Sequence, residues 1–209
     1  MSPKHLFQEE NLIKVPENSA VVVAMFRDPY MWVEAMRILP YHAHSHVDLP
    51  QFLAKEQKKW QPLGWKEFVS KPWIGKMDLG NKQGLATNFY ELQHDGSGRA
   101  YSSIIDLRRD KIINHLSVSN FVGTRAFLPM RYEDLYANGT SALLRSIEEA
   151  SGLKANCSAI IGKGNRQLRT IPITNHTSLS GEFIDWMNEF VDWEVESRIG
   201  YYRRVAQSS

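Results

Sequence analysis

The chain has a single cysteine, Cys157, among its 209 residues. A lone thiol excludes an intrachain disulfide and any site built from several thiolates, so the chain is neither a zinc module nor a disulfide scaffold. Long apolar runs are missing as well. Nothing approaches the roughly 20 residues that a membrane-spanning helix needs. The opening stretch, Met1 to Pro16, is polar and lacks the apolar core of a signal peptide, so the chain as written is expected in the cytoplasm. There is no excess of one charge either: 25 Lys and Arg stand against 23 Asp and Glu, for a net charge of +2. This argues against a broad nucleic-acid surface, which needs a concentrated basic face, and leaves room for a local anion pocket. No internal repeat, coiled-coil heptad or low-complexity tract is present.

What the chain does have is bulk. Six Trp, eight Tyr and nine Phe supply the apolar surface for a core. Ala20 to Phe26 (AVVVAMF) is an unbroken apolar, β-branched run, expected to be a strand buried on both faces. Asp28 then offers an N-cap and Pro29 suits a first helical turn, so a helix is predicted over Tyr30 to Leu39, stopped by Pro40. Strand, tight turn and helix make half of a βαβ unit. From Tyr41 to Arg99 the pattern is loose: a polar loop at Tyr41 to His46, a short helix near Pro50 to Lys59, scattered Trp60, Trp65, Phe68 and Trp73, then Gly80, Gly84, Gly96 and Gly98. We read about 41–100 as a long irregular insertion.

Periodicity returns over Ser102 to Phe121, where Ile105, Arg108, Ile112 and Leu116 share a helical face. Arg125 to Met130 reads as a second buried strand, running into Arg131-Tyr132-Glu133-Asp134-Leu135. A helix from about Ser141 to Ala150 carries Leu143, Leu144 and Ile147 on one stripe and is closed by Gly152. Gly162 to Pro172 is a basic loop. One last helix is predicted over Ser180 to Arg198, with Phe183, Ile184, Met187, Phe190 and Val191 inward and Asp185, Glu189, Asp192 and Glu196 outward. Strands alternating with helices predict an α/β architecture with a small parallel sheet.

The candidate chemistry gathers at a few positions. Arg27 follows the first strand and precedes a helix, where a guanidinium can grip a phosphate by charge-assisted bonds or pair with Asp28. Gly162-Lys163-Gly164-Asn165-Arg166 joins cations to glycines that let the backbone approach an anion. His42, His44 and His46 alternate as strand metal ligands would, but no Cys or carboxylate stands nearby at diagnostic spacing, and a solvated loop is the simpler reading; no metal is expected. Three Asn-x-Ser/Thr triplets begin at Asn138, Asn156 and Asn175.

Arg27-Asp28-Pro29, then Arg131-Tyr132-Glu133-Asp134-Leu135 much later, then the basic Gly-containing loop, together resemble the sulfotransferase family that uses 3′-phosphoadenosine 5′-phosphosulfate (PAPS). The resemblance covers nearly all of the chain. It implies one partial domain over residues 1–209, with a P-loop NTPase-like parallel sheet flanked by helices and incomplete at the N-terminus. It also implies transfer of a sulfuryl group from PAPS to a hydroxyl-bearing small molecule or glycan. Arg27 then matches the arginine that holds the donor's 3′-phosphate, Tyr132 a tyrosine near the adenosine, and Lys163, Gly164 and Arg166 the loop that folds over the 3′-phosphate. Where the family places a phosphate-binding serine, this chain has Ala35. Lys4-His5 stands at the family's spacing before Arg27, which makes His5 the candidate general base. Glu133 and Asp134 read as caps of the following helix. The family's Lys-Ser/Gly-Thr-Thr loop, which cradles the 5′-phosphosulfate, does not occur in these residues. The expectation is therefore impaired transfer by this chain, or a degenerate domain that binds nucleotide or glycan without transfer. The resemblance also implies a Golgi lumen location if an anchor precedes Met1, a setting that would suit the three triplets.

Overall fold

The computed structural model describes residues 15–38, 62–73, 76–78, 88–90, 92–160 and 179–205. His5, the histidines at 42, 44 and 46, the predicted helix near Pro50 and the loop carrying Lys163, Gly164 and Arg166 lie outside them. In chain order the elements are strand β1 (Ala20–Phe26), helix α1 (Pro29–Ile38), helix α2 (Trp65–Ser70), strand β2 (Lys76–Asp78), strand β3 (Asn88–Tyr90) and helix α3 (Ile104–Ser117). After a 3-10 turn over Val118–Asn120 come strand β4 (Thr124–Arg131) and helices α4 (Tyr132–Asn138), α5 (Ser141–Ser151), α6 (Gly181–Phe190) and α7 (Trp193–Ser197). The chain is mixed α/β, with a two-stranded parallel sheet flanked by helices. No described helix is long and apolar enough to cross a membrane.

The described residues fall into two compact units, one formed within Pro29–Ile112 and the other by residues 15–28 together with those from Ile113 onward. The first unit is built on aromatics. Tyr30 and Val33 of α1, Phe68 and Val69 of α2, and Trp73, Tyr101, Ile104 and Leu107 are all buried. Phe68 meets Trp73 edge-on, with ring centroids 6.3 Å apart, the arrangement that ring quadrupoles prefer. The Trp73 amide donates to the Tyr101 carbonyl at 2.9 Å, so the end of α2 is tied to the start of α3. Ser103 opens α3 as a cap, its hydroxyl accepting the Asp106 amide at 3.1 Å, and this sets the helix start two residues later than the periodicity suggested. The stretch read as irregular holds more order than expected. It contains α2, an antiparallel pairing of β2 with β3, and two isolated bridges, Trp73 with Tyr101 and Leu92 with Ala100.

In the second unit β1 and β4 pair in parallel, from Val21 opposite Ala126 to Phe26 opposite Arg131. Pro129 stands opposite Ala24; lacking an N–H, it suits an edge strand. The expectation that β1 is buried on both faces does not hold. Ala24 and Phe26 are buried, but Val23 and Met25 are 37% and 52% exposed. Successive side chains of a strand point to opposite faces, and a uniformly apolar run cannot reveal that only one is covered. Helix α5 lays Leu143, Leu144 and Ile147 half-buried on one side, with Arg145 and Glu149 exposed. Gly152 ends it in the left-handed region at φ 74°, as the sequence suggested.

The last helix is two helices. Val191 turns to extended backbone (φ −76°, ψ 138°), and the Asp192 carboxylate accepts the Val195 amide at 3.2 Å to start α7. Asp192 acts as a cap here, a role that Asp fills better than a helix interior position. The break shifts the phase of the pattern. Phe190 is 54% exposed while Glu196 is buried, each the reverse of what one continuous helix predicts.

Candidate functional site

A parallel pair of strands delivers both of its following loops to the same end, and in α/β sheets that carboxyl end is where ligands bind. Here the last paired residues are Phe26 and Arg131. The next residues along each strand are Arg27-Asp28 and Tyr132-Glu133. The pairing brings these short segments together although Asp28 and Glu133 are 105 positions apart in sequence. The Arg27 guanidinium lies over the Tyr132 ring, 5.7 Å from its centroid, a cation–π contact. Tyr132 in turn stacks on Tyr136 one helical turn later, with centroids 6.2 Å apart and planes inclined by 28°. Tyr136 is half exposed.

Beneath this stack is a polar network. The Asp28 amide donates to Glu133 Oε1 at 3.0 Å. The Tyr201 hydroxyl lies 2.7 Å from Glu133 Oε2 and 2.9 Å from the Phe26 carbonyl oxygen. Tyr201 is itself buried. It is delivered by Gly200, which takes φ 85° after α7, and by Arg131, whose guanidinium sits over the Tyr201 ring at 6.0 Å and reaches the Gly200 carbonyl at 3.3 Å. Arg131 also makes a forked pair with Asp134, at 2.7 and 2.6 Å. The hydrogen bonds that the guanidinium donates to that carboxylate raise its pKa above the ordinary value. Arg204 extends the network, donating to Asp28 Oδ2 at 3.0 Å, while its carbonyl accepts from Asn188 at 2.9 Å.

Of the sequence candidates, Arg27 and Tyr132 are thus brought together. His5, Lys163, Gly164 and Arg166 lie outside the described residues. Ala35 is in α1, within the other unit. Glu133 does not cap α4 as expected. Its carboxylate binds the backbone after β1 and the Tyr201 hydroxyl instead. Tyr201 and Arg204 escaped the sequence reading altogether. The available signal was a tyrosine directly after a glycine at a helix end, since a buried phenol needs a hydrogen-bond partner.

A second cluster lies in the first unit. His94 Nδ1 is 3.1 Å from Asp110 Oδ2, an oxygen that also accepts the Tyr101 hydroxyl at 2.6 Å and the His94 amide at 3.3 Å. A carboxylate on Nδ1 fixes the imidazole's orientation and sets Nε2 on the far side of the ring. Among the described residues no group of three or more His, Cys, Asp or Glu side chains is arranged to hold a metal ion. No protein-family model matches the chain, and neither a curated protein nor a solved structure matches it.

Proposed function

We propose that this chain is a sulfotransferase-type domain with a P-loop-like sheet, and that it takes the adenosine 3′-phosphate end of PAPS at the carboxyl ends of β1 and β4. The observation that carries the reading is the parallel pairing that sets Arg27 over Tyr132. A guanidinium offers a rigid fork of donors suited to phosphate oxygens, and the half-exposed Tyr136, stacked on the partly buried Tyr132 beside it, suits a purine ring. The proposal places Lys163, Gly164 and Arg166 around the same phosphate and gives His5 the acceptor's proton. In the full reaction a base removes the proton from the acceptor hydroxyl, whose oxygen forms a new S–O bond. The S–O bond to the donor's 5′-phosphate breaks, and adenosine 3′,5′-bisphosphate leaves. The acceptor is a hydroxyl-bearing small molecule or a glycan. The 209 residues contain no Lys-Ser/Gly-Thr-Thr loop, which favours a second reading for this stretch on its own: nucleotide or glycan binding without transfer.

Titration calorimetry with adenosine 3′,5′-bisphosphate tests the proposal. Arg27→Ala removes a charge-assisted contact worth about 1.5–3 kcal/mol and is expected to weaken binding by roughly ten- to hundred-fold. Equal affinity of the two proteins, with melting curves showing both folded, overturns it.

A further inference from the structure

A site that grips a phosphate through one arginine depends on where that arginine's backbone is held. Two peptide groups flank Arg27. The group before it carries the Phe26 carbonyl, and the group after it carries the Asp28 N–H. Once both peptide planes are fixed, so are both backbone torsions of the residue between them. In this protein both are held from outside the strand and by one connected unit. Tyr201 donates to the Phe26 carbonyl, Glu133 accepts the Asp28 amide, and Tyr201 and Glu133 are joined at 2.7 Å. A hydroxyl carries one proton, so the Tyr201 proton is shared between the carbonyl and the carboxylate.

Resting on the nucleotide reading above, we infer that Glu133 and Tyr201 are positioning residues for the anion site: together they hold Arg27 in the conformation that binds the 3′-phosphate, and the C-terminal segment is thereby part of the site. Neither side chain touches the ligand in this scheme. Their effect reaches it only through Arg27, because a residue ordered on folding does not have to be ordered again on binding. The proposal accounts for features that helix capping does not. Glu133 turns away from the amides of its own helix. A buried tyrosine from the far end of the chain places its hydroxyl at the end of the first strand. A left-handed glycine and the Arg131 side chain bring that tyrosine into place.

A double-mutant cycle on the full chain separates positioning from general stability. With adenosine 3′,5′-bisphosphate as the probe, Tyr201→Phe and Glu133→Ala are each expected to weaken binding about three- to tenfold, the scale of one buried hydrogen bond. In an Arg27→Ala background the same changes are expected to leave the residual affinity where it was. Glu133→Gln is expected to retain near-normal binding, since its amide oxygen still accepts from Asp28 and its amide nitrogen can donate to the Tyr201 oxygen. Equal losses with and without Arg27, or no loss at all, overturn the inference while leaving the nucleotide site intact. Failure of the unaltered protein to bind the probe instead overturns the nucleotide reading. A ligand-free arm then still decides whether Arg27 is held: the NMR shift of the Arg27 side-chain protons, displaced by the Tyr132 ring current, is expected to collapse in Tyr201→Phe and survive in Glu133→Gln. An unchanged shift in Tyr201→Phe overturns the inference on its own.

Discussion

Gly200 occupies a conformation that other residues rarely adopt, at φ 85°, and a Cβ added there would meet Arg131 Cδ at 3.4 Å. The contact is ordinary packing; the cost is conformational and falls on the turn that leads to Tyr201. We expect Gly200→Ala to destabilise the protein by about 1–2 kcal/mol, measured by urea unfolding; a change of only a few tenths would mean that the turn relaxes freely. Arg27 was legible in the sequence because its place between an apolar run and a helix start is a local pattern. Glu133 was visible but misassigned. A carboxylate in the first turn of a helix reads as a cap, and nothing local shows that Asp28, 105 positions away, supplies the amide it accepts. Tyr201 carried only the signal of a tyrosine directly after a helix-ending glycine, which does not name its partners, because these lie on other segments of the chain.

At the scale of elements, the turn between the Leu92 and Ala100 bridge residues is ordered by its own side chains. Two glycines, Gly96 and Gly98, take positive φ. The Ser97 hydroxyl and amide, and then Arg99, bind the Asp95 carboxylate and hold its pKa down to about 2 from an ordinary 3.8. The folded value is the lower one, so this stabilisation is complete above pH 3.8 and is lost as the pH falls through about 2. An NMR titration of the Ser97 amide should therefore show a midpoint near pH 2, and Ser97→Ala should move the Asp95 midpoint upward. A Ser97 midpoint near 3.8 in the unaltered protein would show that the turn does not hold the carboxylate. Elements with their own capping chemistry were the legible ones: Gly152 ends α5 as read. The break between α6 and α7 was missed because Asp192 sits on a helical period and also suits a cap, and only packing decides between the two. The pairing of β2 with β3 was missed because three-residue strands are too short to show a period.

For the molecule as a whole, the α/β class followed from alternating elements, and the parallel pairing of β1 with β4 agrees with it. The two-unit division was not legible, because the boundary at Ile112 and Ile113 falls inside α3 with no change of composition. The prediction at this scale concerns chemistry. Sulfuryl transfer needs donors on the leaving phosphate, and loss of one such donor typically costs about 10²–10³ in rate. The 209-residue chain, with no Lys-Ser/Gly-Thr-Thr loop in its sequence, is expected to show little or no turnover with radiolabelled PAPS across a panel of phenols and glycans. Robust turnover abolished by His5→Ala would mean that other residues stabilise the leaving group.

The same parallel pairing has a consequence during synthesis. Ala20 stands opposite Thr124 in the sheet, so β1 cannot pair with β4 until the ribosome has reached Thr124 and the residues after it. At about 5–20 residues per second that delay is on the order of 5–20 s. For that interval Ala20–Phe26, a run of valines, alanines, methionine and phenylalanine without a charge or a proline, waits for β4. Such a segment is a template for pairing between chains. The yield of folded protein is therefore expected to depend on how well this nascent strand is kept apart until β4 emerges.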